Sequence, residues 1–208
     1  MHLEILDPKR RKSLSKLGFL KDQNFYMAGG TALALQISHR TSLDFDFYTD
    51  KKFDTRKLRE RFDIEFEKIQ ETYIAEDSLE LDIGGVKMSF FRYPYGLIKP
   101  TLEVEGVFVA SKEDIAAMKI LAISQRGKRR DFIDIYFLIK EFGLEQIMEF
   151  TKEKYPEFNI YVGLQGLVYF QDADEDSDKN RFTMLQEADW KEIKEYIIKE
   201  ASNFKKFL

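Results

Sequence analysis

Residues 25–46, FYMAGGTALALQISHRTSLDFD, decide the reading of this chain. A short apolar run, FYMA, meets the pair Gly29-Gly30. A helix-like segment follows from Thr31, and then SLDFDFY, in which polar and apolar residues alternate. Successive side chains of a strand point to opposite faces. Leu43, Phe45 and Phe47 are therefore expected in a core, with Ser42, Asp44 and Asp46 sharing the other face. On an extended strand the Cα atoms of the two aspartates lie about 6.6 Å apart, close enough for both carboxylates to converge on cations. Magnesium takes oxygen ligands and pairs a few carboxylates with substrate phosphates. Glycines allow close approach of backbone to a ligand, and a helix starting near Thr31 would offer unpaired N–H groups to an anion. Each half has a simpler reading, a turn and a solvated strand face. Their joint occurrence points to a metal–nucleotide site.

Composition narrows the rest. The 208 residues suffice for one large domain or two small ones with a substantial core. The net charge of −4 gives no global attraction to nucleic acid, so polyanion binding would need a local patch. Without cysteine there is neither a disulfide nor a thiolate site, and two histidines cannot build a histidine-rich zinc centre. No apolar run approaches the roughly 18 residues of a membrane span. The first residues, MHLEILDPKRRK, lack a secretory apolar region, so a cytoplasmic location is expected.

Working outward, Asp7-Pro8 opens a helix expected to run through KRRKSLSKLGFL. Its cluster Lys9, Arg10, Arg11, Lys12 is either a solvated face or a nucleic-acid contact. Asp54 caps a helix over TRKLRERF, and IEFEKIQ alternates as a strand. TYIAEDSLELDI, Gly84-Gly85 and VKMSFFRYPY form a hairpin with a two-residue turn. EVEGVFVA adds a short strand or pair. From Ser111, with Asp114 three residues on as in a capping box, the pattern becomes helical. The expected helices are SKEDIAAMKILAISQ, RRDFIDIYFLIKEF stopped by Gly143, LEQIMEFTKEKY, NIYVGLQGLVYF and DWKEIKEYIIKEASNFKKF. The fold class implied is α+β, a mixed sheet with flanking helices over residues 1–110 and a helical bundle over 111–208. The acidic run Asp172, Asp174, Glu175, Asp176, Asp178 is no calcium loop, because Ser177 and Thr183 replace the required Gly and Glu. It reads as a solvated linker.

A second constellation lies in KILAISQRGKRRDFID, residues 119–134. Helical spacing surrounds Lys119 with Ile115, Ala116, Ala122 and Ile123, and burying an unpaired ammonium is costly. Arg126 returns to the same face two turns later, so the two cations would form a ladder that a triphosphate satisfies. Snorkelling to solvent is the simpler account. Asp131 and Asp134 share the next helix face. The first complements the helix dipole. The second, among Ile133, Ile135, Phe137 and Leu138, needs either a task or an ion pair with Arg130 or Lys119. The turn cluster Arg126, Lys128, Arg129, Arg130 could meet phosphates.

Together GGT, HRTSLDFD, the Lys119–Arg126 pair and RDFID resemble, in order, the motifs of the nucleotidyltransferase superfamily that includes DNA polymerase β, and within it the AbiEii-type toxins. The likeness covers residues 25–142. The resemblance implies a nucleotidyltransferase-like N-terminal domain and transfer of a nucleoside monophosphate from an NTP to a hydroxyl of RNA, tRNA in particular. It further implies magnesium on Asp44 and Asp46, and a nucleotide-binding turn at Gly29, Gly30 and Thr31. Lys119 and Arg126 would reach the triphosphate, Asp131 and Asp134 would be acidic site residues of the helical half, and a cognate antitoxin would be a partner. The site is expected in a cleft between two subdomains.

One position departs from that pattern. The superfamily's third carboxylate is expected on a later strand, where VKMSFF offers Ser89. Asp82, Asp131 or Asp134 would have to compensate. Without compensation the chain would be a non-catalytic nucleotide- or protein-binding module on the same fold. A small-molecule transferase is a third reading.

Overall fold

The computed structural model describes residues 1–177 and 181–204, in two compact units. The first comprises Met1–Ile37, Thr41–Gly96 and Pro100–Ala110. It carries β1 (Tyr26–Ala28), β2 (Phe45–Thr49), β3 (Ile69–Ala75), β4 (Ser78–Ile83), β5 (Val86–Arg92), β6 (Leu102–Val104) and β7 (Val107–Val109). These form one seven-stranded sheet in the order β3-β4-β5-β2-β1-β7-β6, mixed because β2 runs parallel to β5 and β1 parallel to β7. Three helices accompany it: α1 (Pro8–Leu14), α2 (Gly29–Ile37) and α3 (Thr55–Glu65).

The alternation that identified β2 works as expected. Phe45 and Phe47 are fully buried while Asp46 and Tyr48 are half-exposed. The Phe47 ring stacks on Phe90 of β5, 5.3 Å between centroids and 4° between planes, and Phe62 of α3 meets Phe90 at 5.1 Å. Burying one such side chain contributes about 1.5–3 kcal/mol, which gives the abundant phenylalanines a structural task. Leu43 precedes the strand and is only half-buried, so it does not join that core.

Several boundaries differ from the sequence pattern for local reasons. The α1 helix stops at Leu14, where the Ser15 hydroxyl donates to the Lys12 carbonyl, and a 3-10 turn over Gly18–Gln23 follows. Ile64 and Glu65 end α3 rather than open a strand, and β3 starts at Ile69. TYIAEDSLELDI is two strands, because Asp77 adopts φ +55° and turns the chain. An aspartate tolerates that left-handed backbone better than most side chains. The Gly84-Gly85 turn has φ of +58° and +89°, as a primed hairpin turn requires.

The second unit comprises Ser38–Arg40, Leu97–Lys99 and Ser111–Leu208. It is helical: α4 (Lys112–Gln125), α5 (Arg129–Phe142), α6 (Leu144–Lys154), α7 (Ile160–Leu167), α8 (Gln171–Asp174) and α9 (Trp190–Phe204). The Ser111 hydroxyl caps α4 by accepting from the Asp114 amide. Helix α4 packs on α5, α6 and α7, and α9 closes against α5, α6 and α7. A β-carbon on Gly166 of α7 would lie 3.1 Å from the Ser124 Cα, so the two helix backbones approach closely where a side chain would crowd them. The Asp114 carboxylate is sealed in this unit, 2.7 Å from Lys154 Nζ, and also accepts from the Ser111 hydroxyl and the Ile98 and Lys99 amides.

The acidic run is not a plain linker. Asp172 and Asp174 lie in α8 with Ala173 buried between them, Asp174 accepts from Trp190 Nε1 at 2.5 Å, and Asp176 accepts from the Arg129 amide. Its last member, Asp178, lies outside the described residues. Among the described residues no helix is long and apolar enough to cross a membrane.

Candidate functional site

In the first unit the glycine turn and the aspartates are built against each other. Strands β1 and β2 pair antiparallel with Ala28 opposite Asp46, so the residue leaving β1 arrives beside the carboxylate. That residue is Gly29, with φ +71°. The positive φ favours glycine, and a β-carbon there would stand 3.2 Å from Asp46 Oδ2, crowding the carboxylate. The turn feeds α2 directly at Gly29, two residues earlier than its composition suggested. The first N–H groups of any helix lack intrahelical partners, and here they open beside an acid-bearing strand. The Thr31 hydroxyl donates to the Asp44 carbonyl and lies 2.8 Å from the Ser42 hydroxyl, fixing the segment just before β2. Asp44 and Asp46 are both half-exposed.

The donor set suits a hard divalent cation: two aspartates two residues apart, and a cradle beside Asp46 that a β-carbon would fill. Among the described residues no group of three or more histidines and acids is placed to hold a metal by itself. Such a cation would complete its shell with water or with substrate oxygens.

Ser89 of β5 pairs in register with Asp46, so it occupies the neighbouring position on the same sheet face where a third acid was sought. Glu80 of β4 comes next across the sheet, opposite Ser89. Asp82 does not substitute: it faces Lys87, and its Oδ1 accepts from the Gly85 amide inside the hairpin turn.

The second unit gathers Lys119, Asp131 and Asp134 with two residues the sequence did not single out. Asp134 is fully buried and both its oxygens are committed. Oδ1 accepts from Arg40 Nε and His39 Nε2, each at 2.7 Å, and Oδ2 accepts from Arg40 Nη2 at 2.8 Å and faces Lys119 Nζ at 2.5 Å. Lys119 Nζ also donates to Asp131 Oδ1 at 2.6 Å. Asp131 Oδ2 is buried without a hydrogen-bond partner, as is His39 Nδ1. Arg130, the other suggested partner of Asp134, is not among the donors that hold it.

Electrostatics follow from this wiring. Burial opposes the charged form of Asp134, but Arg40, Lys119 and His39 outweigh it and hold the carboxyl well below its ordinary value. Burial likewise opposes a charged Lys119, and Asp131 with Asp134 reverse the balance and raise its pKa. For His39 burial wins and lowers the pKa, so the ring is neutral and donates through Nε2. The segment bearing His39 and Arg40 is further fixed within this unit, with the Leu185 amide donating to the His39 carbonyl and Arg40 lying over the Phe182 ring.

Arg126 corrects the cation-ladder expectation. Helix α4 ends at Gln125, and Arg126 is exposed with extended backbone, φ −156° and ψ 107°. It therefore does not return to the helix face of Lys119.

Comparison with known proteins matches the chain to the family model "Nucleotidyl transferase AbiEii toxin, Type IV TA system" over residues 18–108 and 64–208. The match extends through the C-terminal helices, beyond the residues on which the motif resemblance rested. The protein aq_aa25 of Aquifex aeolicus (strain VF5) is 35% identical over 208 residues, covering 96% of this chain and 97% of that protein. Among solved structures, JHP933 from Helicobacter pylori shares the fold with a TM-score of 0.63 at 20% identity, over 98% of this chain and 94% of that one. MenT4, the nucleotidyltransferase toxin Rv2826c of Mycobacterium tuberculosis H37Rv, does so with a TM-score of 0.61 at 14% identity, over 92% and 80%. The turn-and-acid arrangement of the first unit thus lies in a chain that belongs to the AbiEii family of nucleotidyltransferase toxins.

Proposed function

We propose that this nucleotidyltransferase transfers a nucleoside monophosphate from an NTP to a hydroxyl of RNA, with tRNA as the acceptor, in the presence of magnesium. The observation that supports the reading is the Gly29 turn standing beside Asp46, so that backbone N–H groups suited to phosphate and a carboxylate suited to a cation lie next to each other. Asp44 and Asp46 would hold the cation, which when bound neutralises charge on the phosphates and activates an oxygen nucleophile. Gly29, Gly30 and Thr31 receive the phosphates on the first turn of α2.

The acceptor oxygen forms a bond to the α-phosphorus as the bond from that phosphorus to the bridging oxygen breaks, and pyrophosphate leaves. The chain's part is positioning and charge stabilisation. Lys119 has three N–H donors, two of them directed at Asp131 and Asp134. The third, together with the Arg126 guanidinium, is proposed for the triphosphate. Asp131 keeps one buried oxygen without a hydrogen-bond partner and is proposed as the acid of this cluster that accepts a hydrogen bond. Asp134 is proposed as a positioning residue that fixes Lys119, His39 and Arg40. A cognate antitoxin as protein partner and a cytoplasmic setting accord with the toxin family.

The test uses the full chain with total tRNA, magnesium and each NTP labelled in turn at the α- or the γ-phosphate. Retention of α-label in RNA, with γ-label released as pyrophosphate, is the expected result. Label appearing instead on a small molecule or a protein would replace RNA as the acceptor.

A further inference from the structure

One side of the sheet in the first unit carries a feature that the transferase reading leaves unused. Along β2, Tyr48 is two residues beyond Asp46 and on the same face, about 6.6 Å farther along the strand. Along β5, Phe91 is two beyond Ser89, and the parallel register sets Tyr48 beside Phe91 as it sets Asp46 beside Ser89. The next row on the acid-bearing face is therefore aromatic. Tyr48 and Phe91 have ring centroids 6.0 Å apart, Tyr48 and Tyr93 5.4 Å, and Tyr93 and Tyr95 4.9 Å. On the other side of Tyr48 in the same row, its register partner Tyr26 of β1 lies 6.2 Å away and is buried, so the row is closed at that end by a fixed ring.

These rings are not core filling. The core side of the same strands is supplied by Phe45, Phe47, Met88 and Phe90, all fully buried. Tyr48, Phe91 and Tyr93 are half-exposed, and Tyr95 keeps 39% of its surface accessible. Tyr93 is anchored by its amide to the Thr49 carbonyl at 2.7 Å, which extends the row past the end of β5.

Aromatic side chains displayed on a sheet stack nucleic-acid bases, and every base offers a face to stack. We propose that Tyr48, Phe91, Tyr93 and Tyr95 form a stacking platform for unpaired bases next to the reacting end of the acceptor RNA. This rests on the transferase reading for the identity of the acceptor. The net charge of −4 favours a stacking mode, because this chain has no overall positive field with which to hold a polyanion. Single-stranded ends fit such a surface, whereas the bases of a duplex are already stacked on one another.

The experiment measures binding of the full chain to a fluorescently labelled single-stranded oligoribonucleotide and to a blunt RNA hairpin of equal length. Because binding is read without turnover, it reports on the platform even if transfer is absent, and transfer with an unchanged platform variant would fault the platform alone. The single strand should bind more tightly than the hairpin. Tyr48→Ala should weaken single-strand binding about tenfold, Tyr95→Ala by a smaller factor, and Tyr48→Phe should bind within about twofold of the unsubstituted chain. The ratio between Tyr48→Ala and the unsubstituted chain should change little with salt, unlike the loss of a phosphate contact. Tyr95→Ala alters an exposed ring and keeps the test open if Tyr48→Ala folds poorly. Unchanged single-strand binding in folded Tyr48→Ala and Tyr95→Ala, preference for the hairpin, or a raised KM for NTP with unaltered RNA binding would each overturn the proposal.

Discussion

Asp44 and Asp46 stand half-exposed beside a glycine turn, whereas Asp134 is sealed and accepts from or faces three cationic or polar side chains. Both sets appear in the sequence as aspartates two or three residues apart on one face. Spacing reports which way a side chain points, but it does not report how deeply it is buried. Asp134 is closed off from solvent among its partners, whereas Asp44 and Asp46 keep surface that a ligand can approach. Asp131 falls between them, near-buried and bound to Lys119 through one oxygen only.

Substitutions should separate these kinds of acid. The largest effect on turnover is expected from Asp46→Ala, a loss of about 10²–10³-fold in transfer with a urea unfolding midpoint close to that of the unsubstituted chain. Asp134→Ala should act chiefly on stability. Leaving Arg40 and Lys119 buried without their carboxylate costs about 3–5 kcal/mol, read as a lowered unfolding midpoint with unchanged slope. Equal stabilities for the two variants would erase the distinction.

Acid titration sharpens the same comparison. His39 has a lowered folded pKa, so below its ordinary value of 6.5 the unfolded chain takes up a proton that the folded ring refuses. Stability should therefore begin to fall as pH drops through that value. Asp134 has a strongly lowered folded pKa, so its contribution is complete above the ordinary value of 3.8 and is lost as pH falls further toward the folded pKa. His39→Gln should remove the first decline and keep the second, as followed by unfolding midpoints across pH. The smallest structural effect belongs to Arg126→Ala. Exposed outside the helix, it should change stability by no more than about 0.5 kcal/mol, while KM for NTP rises on the order of tenfold if the guanidinium meets the triphosphate.

Much of the fold was legible because its signals are local. The alternation in LDFDFY, the Asp54 and Ser111 caps, and the Gly143 stop each act within a few residues of where they stand, and β2, α3, α4 and α5 follow from them. The sequence marks VKMSFF as the strand for a third acid, but the register that sets Ser89 beside Asp46 is a non-local pairing that it does not encode locally. The partners of Asp134 were illegible for a physical reason: His39 and Arg40 lie 95 and 94 positions away, and no local pattern encodes a contact across that separation. The expected shared helix face of Lys119 and Arg126 breaks for the opposite reason. Helical spacing was extended one residue past the point where the backbone turns to the extended region.

The most direct test of the division between working and holding acids is α-phosphate transfer to tRNA, measured per folded molecule, in the unsubstituted chain and in Asp46→Ala and Asp134→Asn. The predicted result is that Asp46→Ala folds normally and transfers about 10²–10³-fold more slowly, while Asp134→Asn unfolds at markedly lower urea and retains transfer in the fraction that is folded. Normal transfer by Asp46→Ala, or a fully stable Asp134→Asn that has lost transfer entirely, would contradict it.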